Sequence, residues 1–348
     1  MSIKKSLYEI SWKVSEDEYR QDEALSYSTL AKYERSGFNG LDSLFDKIET
    51  PSLTFGSAVD AIITGGMDEF NERFCVAEFP PVSDNIAKIV KALFTNFDVT
   101  YHALSDIPTE DTLYYINMYE YQPNWKPETR VKVLREKGEA YYKVLYLSYG
   151  KILLDTATYE DVMRTVEVLK ASAATQHFFG EPADDNIEHL YQLKFKATLN
   201  GIDYRCMFDE LIVDHETKTI QPIDLKTSSK KEWDFYKSFI EWNYQIQNRL
   251  YVRILQEIIK NDSYFKEFTI LPYKDIVVSR NSLTPLVWDC SFTFDAGTIT
   301  LGKNKQIELR DPEEIGKELM YYLSSRPAVP MDIDNIGSND LSIWLNKL

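Results

Sequence analysis

The sequence predicts a mixed α/β or α+β fold, and three observations support this prediction. Apolar residues recur at helical spacing through most of the chain up to Gly180. After Gly180 the hydrophobic period changes from about 3.6 residues to about 2. Asn200-Gly201 lies between two alternating segments, where both residues tolerate the positive φ of a type I′ hairpin turn. A further helical segment and more extended segments follow, so layers of sheet and helix are expected around one core.

The first half is predicted to be mostly helical. Small hydroxyl residues that can cap a helix open the first segment, and Gly65-Gly66 ends the second. Thr158 caps the last helix, with Asp161 at the fourth position of its capping box. An aromatic stretch, Tyr114–Trp125, predicts irregular structure. The predicted helices are Ser26–Arg35, Ser52–Thr64, Ser83–Phe97, Glu128–Tyr149 and Thr158–Phe179.

The second half is predicted to begin as a meander of strands and to continue with alternating helices and strands. The strands of the meander are Leu190–Leu199, Ile202–Val213 and Thr219–Leu225. The later elements are helices Glu232–Ile240 and Tyr244–Ile259, extended segments Phe268–Leu271, Ile276–Ser279 and Leu286–Phe294, and helix Pro312–Leu323. No linker interrupts the chain. We therefore expect one domain over residues 1–348, with a helical part at 1–180 and a sheet-containing part at 181–348.

Composition restricts the class of protein. The chain has 348 residues, of which 44% are hydrophobic and 27% charged, as in an ordinary globular protein. No window reaches the run of about 18 apolar residues that a membrane span needs, and Met1–Val14 lacks the apolar core of a secretion signal. The three cysteines are widely separated, and the four histidines lack the spacing of zinc hydrolases. We expect a cytoplasmic protein, and any metal ion should be held by oxygen atoms.

The net charge of −16 opposes binding to nucleic acid, because contacts of lysine and arginine with phosphates supply most of the non-specific affinity. The basic residues are nevertheless clustered. Lys126–Lys151 holds seven basic and three acidic residues, and Lys226–Lys260 holds seven and four. A solvated helix face explains both stretches unless a reactive site lies beside them.

Two carboxylates and an ammonium group meet on neighbouring predicted strands. Asp209 follows the apolar run Cys206–Phe208, and Asp224 lies on the next strand, about 4.8 Å away. Lys226 is two residues from Asp224 and therefore projects from the same face. Such a pocket suits Mg²⁺ or Mn²⁺ held by oxygen ligands, with a water that the lysine orients or helps to deprotonate for attack on a phosphodiester. Taken alone, an Asp-x-Lys sequence is more often a salt bridge on a solvated strand.

Further motifs, in their order along the chain, resemble the RecB-type branch of the PD-(D/E)XK nucleases, especially the phage-type exonuclease VIII (RecE) and lambda-exonuclease-like proteins. Asp209 matches the acidic residue of one motif, Asp224–Lys226 matches (D/E)-h-K, and Gln247–Tyr251 matches Q-x-x-x-Y. The segment Leu25–Tyr33 resembles L-S-x-S-x-L-x-x-F/Y, and Phe55–Asp60 resembles F-G-x-x-x-H. Each motif is short, and their common order over residues 25–255 carries the resemblance.

The resemblance implies a restriction-endonuclease-like core, in which a central mixed sheet is flanked by helices and carries a helical N-terminal elaboration. It also implies a metal centre. Its ligands would be Asp60, Asp209, Asp224 and the carbonyl oxygen of Leu225. Position 60 departs from the family, which usually has histidine there. Aspartate is also a good ligand for Mg²⁺ or Mn²⁺, but it adds negative charge.

The remaining candidate residues would surround this centre. By the resemblance, Lys226 positions the attacking water, and Gln247 and Tyr251 share one helix face that looks towards the terminal nucleotides. Glu188 matches an acidic position that precedes the hairpin, and Ser28 belongs to the N-terminal motif. Contacts with DNA phosphates are expected from basic residues near the Q-x-x-x-Y helix, namely Lys230, Lys231, Arg249 and Arg253.

The function that the resemblance implies is a DNA exonuclease dependent on Mg²⁺ or Mn²⁺. It would act from 5′ to 3′ on duplex ends in phage-type recombination or DNA processing. A ring-shaped homo-oligomer and a single-strand annealing protein or recombinase are the expected partners besides DNA, in the cytoplasm of a bacterial cell. Two alternatives remain open: a structure-specific or restriction-like endonuclease of the same fold, and a non-catalytic binding or assembly protein that keeps the fold.

Overall fold

The computed structural model describes residues 4–46, 50–180, 182, 184–291, 297–301 and 305–325. Contacts within the chain divide it into two units. The first comprises Met1–Ser52 and Val168–Leu348, and the second comprises Leu53–Glu167. The prediction of one nuclease domain over residues 1–348 stays a prediction.

Helices predominate up to residue 180, and most of the described strands follow it. In chain order the helices are α1 (Glu16–Gln21), α2 (Tyr27–Ser36), α3 (Pro51–Arg73), α4 (Asp84–Phe97), α5 (Thr109–Met118), α6 (Pro127–Leu147), α7 (Thr156–Ala171), α8 (Gln176–Phe179), α9 (Phe235–Glu241), α10 (Tyr244–Lys260) and α11 (Pro312–Ser325). The strands are β1 (Phe74–Val76), β2 (Ile152–Leu154), β3 (Ile187–Leu199), β4 (Ile202–Asp214), β5 (Thr219–Ser228), β6 (Thr269–Ile270), β7 (Lys274–Ser279), β8 (Leu286–Asp289), β9 (Thr298–Leu301) and β10 (Lys305–Glu308).

A mixed sheet forms the centre of the first unit. Its strand order is β3-β4-β5-β7-β8, and the short β6 also pairs with β5. β5 is parallel to β6 and β7, whereas the pairs β3-β4, β4-β5 and β7-β8 are antiparallel. Parallel strands need a crossover connection, and α9 and α10 lie between β5 and β7 in the chain. The predicted mixed α/β architecture, with a central mixed sheet flanked by helices, is confirmed.

The hairpin predicted at Asn200-Gly201 is also confirmed. Asn200 has a φ of 49° and Gly201 a φ of 82°, the positive values that a type I′ turn requires. The strands pair from Leu199–Ile202 at the turn to Ile187–Asp214 at the far end. The change of hydrophobic period after residue 180 therefore marks the start of the sheet.

The core of the first unit lies between this sheet and its helices. α10 packs against β3 and β4. Side chains from both layers are fully buried there, including Phe195, Phe208, Leu250 and Ile254. Each such side chain stabilises the folded state by about 1.5–3 kcal/mol. This packing fixes the position of α10 over the strands that carry the acidic motifs.

The second unit has its own hydrophobic core, formed largely by α4, α5 and α6. β1 and β2 of the same unit pair in parallel. Gly138 on α6 allows close approach to α4, because an added Cβ would lie only 2.7 Å from Val90 Cγ2. The described helices of the protein include none that is long and apolar enough to cross a membrane.

Some sequence predictions for the helical part were wrong. Thr158 does not cap α7, because the helix begins at Thr156 and Asp155 Oδ1 accepts the N–H of Thr158 at 2.6 Å. The predicted helix Thr158–Phe179 is divided into α7 and α8, and the hydroxyl of Thr175 caps the end of α7 by donating to the carbonyl of Leu169 at 2.7 Å. Tyr114 belongs to α5 rather than to an irregular stretch.

In the sheet-containing part, the predicted strand Leu286–Phe294 ends as β8 at Asp289, and its residues 292–294 lie outside the described residues.

Candidate active site

The pairing of β4 with β5 brings Asp209 and Asp224 together. The two strands pair antiparallel up to Glu210–Ile223, and one further step in this register places Asp209 opposite Asp224. The backbone ladder ends there, and Asp209 Oδ2 accepts a hydrogen bond from the N–H of Leu225 at 2.8 Å. A side-chain carboxylate thus replaces a backbone partner where the strands separate. Both carboxylates lie beside the Leu225 peptide.

A local distortion of the β3–β4 hairpin lies at Asp209. The pairing of β3 with β4 omits Gln192 and Asp209 but has the same register on both sides, and Gln192 has a φ of 54°. Across this point the buried apolar residues of β4 change from even positions (Tyr204, Cys206 and Phe208) to odd positions (Leu211 and Val213). The register is unchanged across this point, so no residue is inserted, and the strand changes the face it buries next to Asp209.

Lys226 forms an ion pair with Asp224 in the same pocket. Its Nζ lies 2.6 Å from Asp224 Oδ2 and donates a hydrogen bond to Gln247 Oε1 at 2.8 Å. The ammonium also lies 4.3 Å from the centroid of the Tyr244 ring, within the range of a cation–π interaction. The side chain of Lys226 is 16% exposed and that of Asp224 is 4% exposed. This is not a salt bridge on a solvated strand face.

The charge state of Lys226 follows from these neighbours. Burial lowers the pKa of its ammonium group, but the negative charge of Asp224 acts in the opposite direction, and Tyr244 adds to it. The net result is a pKa well above the usual value of lysine. Lys226 is therefore a cation and a hydrogen-bond donor at neutral pH.

Gln247 and Tyr251 lie four residues apart on one face of α10. The Gln247 side chain connects the two charged groups, because its Nε2 donates to Asp224 Oδ1 while its Oε1 accepts from Lys226. Tyr251 is buried against Phe208, with ring centroids 5.3 Å apart. Burial raises the pKa of its hydroxyl well above the usual value, and the charges of Asp224 and Asp209 raise it further. Gln247 thus contacts the charged groups, and Tyr251 packs beside them.

Asp275 is a fourth charged residue of this region, and it was not predicted. It lies on β7 directly beside Asp224 in the parallel register, and its side chain is fully buried. Asp275 Oδ2 accepts a hydrogen bond from Cys290 Sγ at 3.3 Å. Burial raises the pKa of Asp275 to about 7, although the nearby Lys226 acts to lower it. An aspartate at the start of an otherwise apolar strand, Ile276–Val278, was the available sequence signal.

The raised pKa of Asp275 predicts a dependence of stability on pH. The pKa rises from 3.8 in the unfolded chain to about 7 in the folded protein. The contribution of this group to the free energy of unfolding is therefore fully present below about pH 4 and is lost as the pH rises towards 7. Asp275→Asn removes that loss. Metal-free urea titrations measure the free energy of unfolding of both proteins at pH 5 and at pH 8. We expect the variant to gain stability relative to the unaltered protein between pH 5 and pH 8.

Asp289→Asn is the matched control for this experiment. The N–H of Ser291 lowers the pKa of Asp289, so this group is ionised in both states at pH 5 and at pH 8. Its effect on the free energy of unfolding should be the same at the two pH values. A pH-independent effect of Asp275→Asn would contradict the assignment of a raised pKa to this carboxylate.

The structure does not bring Glu188 to the pocket. Glu188 pairs with Val213, four residues along β4 from Asp209, which corresponds to about 13 Å of strand. Its carboxylate accepts a hydrogen bond from Ser6 Oγ and lies 3.6 Å from His215 Nε2. Glu188 thus ties the N-terminal segment to the distant end of the hairpin.

The N-terminal motif reaches the pocket through Tyr27 rather than through Ser28. Ser28 is exposed at the start of α2, with its Oγ 2.9 Å from Ser26 Oγ. The Tyr27 ring lies 6.2 Å from that of Tyr244, and its hydroxyl donates to the carbonyl oxygen of Trp242 at 2.8 Å. Burial raises the pKa of Tyr27, and the charge of Lys226 opposes this rise. Tyr27 and Tyr244 therefore line the site without having been predicted.

The structure places Arg249 and Arg253 away from Gln247 and Tyr251 and pairs both within the fold, which argues against their predicted contact with phosphates. On α10 they are offset by two residues from Gln247 and Tyr251, which is about 200° around the helix. Arg249 is buried and donates to the carbonyl oxygens of Leu309 and Arg310, both at 3.1 Å. Both arginines also pair with carboxylates of the following segment, including Asp311 and Glu313. They attach α10 to the segment that precedes α11 and to the first turn of α11.

Lys230 and Lys231 lie at the surface shortly after β5. Lys230 Nζ is 2.6 Å from Glu241 Oε2 and its side chain is 41% exposed. Lys231 Nζ lies 5.0 Å from the centroid of the Trp233 ring. Their predicted contact with DNA stays a prediction.

The oxygen donors of the pocket fit a hard divalent cation. Mg²⁺ is commonly held by one or two carboxylates while it retains several waters, and Asp209, Asp224 and the carbonyl of Leu225 are donors of this type. The described part of the chain contains no group of three or more His, Cys, Asp or Glu side chains that could hold a metal ion. Asp60 lies on α3 in the second unit, where its carbonyl oxygen accepts from Thr64 Oγ1 at 2.9 Å. Its role as a ligand stays a prediction.

Comparison with known proteins assigns no family. No family model and no curated protein matches the chain. Among solved structures, the chain is similar to a candidate exonuclease from Eubacterium rectale. The identity is 12%, the match covers 90% of this chain and 85% of the other, and the TM-score is 0.39. This degree of likeness assigns neither a family nor an activity.

Proposed function

We propose that this protein is a metal-dependent DNA nuclease with an active site of the PD-(D/E)XK type. One observation carries the proposal: Asp224, Lys226 and Gln247 contact one another directly, and Asp209 reaches the same place through the backbone of Leu225. Lys226 contacts both Asp224 and Gln247, and Asp209 contacts the Leu225 N–H. An ion pair largely removed from solvent, with a second carboxylate beside it, is typical of functional sites.

The proposed chemistry divides between the metal ion and the side chains. A bound Mg²⁺ or Mn²⁺ would polarise the scissile phosphate and make a bound water more acidic. Asp209, Asp224 and the carbonyl oxygen of Leu225 would hold the ion. Lys226, held by Gln247 and by the Tyr244 ring, would donate a hydrogen bond to the attacking water and stabilise negative charge on the phosphate.

The finer proposals rest on the motif resemblance to the phage-type exonucleases. They are exonuclease action from 5′ to 3′ on duplex ends, a role in phage-type recombination or DNA processing, a ring-shaped oligomer and an annealing protein or recombinase as partner. The experiment is digestion of end-labelled linear duplex, single-stranded and covalently closed circular DNA, with Mg²⁺, Mn²⁺ or EDTA. We expect metal-dependent release of nucleotides from linear DNA. The covalently closed circles should remain intact. Cleavage of circles would indicate an endonuclease, and no cleavage of any substrate would contradict the proposal.

Asp60 offers a separate prediction about the metal. If Asp60 is a ligand, Asp60→Ala should weaken the binding of Mn²⁺, whereas Asp60→His should retain metal binding and activity, because histidine is also a metal ligand. Titration calorimetry with Mn²⁺ measures both variants. Unchanged affinity in the alanine variant would exclude Asp60 from the metal site.

A further inference from the structure

Exposed aromatic rings, each with a cation over it, lie in the segment that connects β5 to α10. Trp233, Tyr236 and Trp242 are 53%, 52% and 43% exposed. The distances from the cations to the ring centroids are 5.0 Å for Lys231 over Trp233, 5.5 Å for Lys237 over Tyr236 and 5.0 Å for Arg35 over Trp242. Large exposed rings are poorly hydrated and stabilise no core, so three of them within one short connecting segment indicate a binding surface.

This cation–aromatic surface, defined by those three rings and three cations, is attached to the candidate active site. The Phe235 ring, between Trp233 and Tyr236 in the chain, stacks on Tyr244 with centroids 5.7 Å apart and planes at 18°. Tyr244 in turn lies under Lys226 Nζ. At the other end, the carbonyl oxygen of Trp242 accepts the hydroxyl of Tyr27, which also packs on Tyr244. Phe235 and Tyr27 therefore connect the segment that carries the exposed rings to the Tyr244 ring beside Lys226.

The charges of the surface favour a polyanion, although the whole chain carries −16. Two acidic side chains at the surface are engaged by lysines: Asp234 lies 2.6 Å from Lys237 Nζ, and Glu241 lies 2.6 Å from Lys230 Nζ. A third, Glu232, is buried and accepts N–H groups of the β7–β8 connection. Arg35 and Lys231 add positive charge beyond these pairs.

We propose that the cation–aromatic surface binds unpaired nucleotides of single-stranded DNA next to the active site. Base faces are accessible for stacking on rings only where the strand is unpaired, and lysine and arginine beside the rings would contact its phosphates. This inference rests on the proposed nuclease function and deepens it, since it specifies a single-stranded end as the part of the substrate held beside Lys226.

The test measures binding rather than cleavage, using the full chain in EDTA. Fluorescence anisotropy gives Kd for a labelled oligo(dT) strand and for a duplex of the same length. We expect the double variant Trp233→Ala, Trp242→Ala to raise Kd for the single strand. Each lost ring should raise it by between about fivefold and about a hundredfold, because stacking contributes about 1–3 kcal/mol per base. Duplex binding should change by much less, and the corresponding phenylalanine variant should keep most of the affinity.

The matched control is Tyr114→Ala, Trp125→Ala. These rings are also exposed, at 65% and 42%, but belong to the second unit. Their loss should leave Kd for the single strand unchanged. The inference is overturned if the unaltered protein does not bind the single strand, if the Trp233 and Trp242 variant binds it equally well, or if the control variant weakens binding as much. Failure of DNA digestion with normal binding would instead count against the proposed nuclease function alone.

Discussion

Replacing Lys226 by glutamine is expected to lower kcat for Mg²⁺-dependent DNA cleavage by about 10²–10⁴-fold, the usual contribution of a positioned group that assists proton transfer or charge stabilisation. Glutamine keeps much of the side-chain volume but removes the cation that contacts Asp224 and Gln247. Steady-state digestion of a linear duplex at saturating Mg²⁺ measures the effect. Thermal unfolding of the variant should show that the protein remains folded.

Lys218→Gln is the control for Lys226. Lys218 also belongs to the β4–β5 region and is also paired, with Glu267, but the two side chains are 51% and 60% exposed. Such a pair contributes only about 0–1 kcal/mol, so both kcat and stability should be nearly unchanged. Equal kcat values for Lys226→Gln and the unaltered protein would remove Lys226 from the proposed mechanism.

Replacing Arg249 by leucine is expected to lower the free energy of unfolding by about 1–3 kcal/mol, because buried acceptors lose their donor. Arg249 is 7% exposed, donates hydrogen bonds to two carbonyl oxygens and forms an ion pair with Asp311. Urea unfolding measures the loss. The salt dependence of DNA binding should not change, since this side chain is already used within the fold.

Lys132→Leu is a suitable control for Arg249. Lys132 and Glu136 form a pair at 3.8 Å in which the side chains are 74% and 61% exposed, so loss of this pair should have little effect on stability.

The prediction for Arg249→Leu would be contradicted by unaltered stability together with a weaker salt dependence of DNA binding. The slope of the logarithm of the binding constant against the logarithm of salt concentration would then be smaller by about 0.9, the value expected for one lost phosphate contact.

The sequence was sufficient to predict the residues of the site that depend on local pattern. Asp224 and Lys226 share a face because a strand has a period of two. The Asn200-Gly201 turn fixes the hairpin, and the short connection to β5 then brings Asp209 beside Asp224. Gln247 followed from the Q-x-x-x-Y motif together with helical spacing on α10.

The residues that were missed or misassigned depend on contacts between distant segments. Asp275 lies beside Asp224 only because β7 pairs in parallel with β5, and no local sequence pattern predicts this pairing. Arg249 and Arg253 have the composition of a phosphate-binding helix, but their partners around Asp311 lie about one sixth of the chain away. Helical periodicity likewise did not reveal the end of α7, because a buried hydroxyl of Thr175 supplies the cap.

The most direct measurement of the central claim is titration calorimetry of the full chain with Mn²⁺, comparing the unaltered protein with Asp209→Asn, Asp224→Asn. Asparagine at position 209 can still accept the hydrogen bond from the Leu225 N–H, so the double variant removes charge with little change of shape. Asp203→Asn, an exposed position on β4, is the control. We predict Mn²⁺ binding by the unaltered protein and the control and its loss in the double variant. Equal Mn²⁺ affinity in all three proteins would contradict a metal site formed by Asp209 and Asp224.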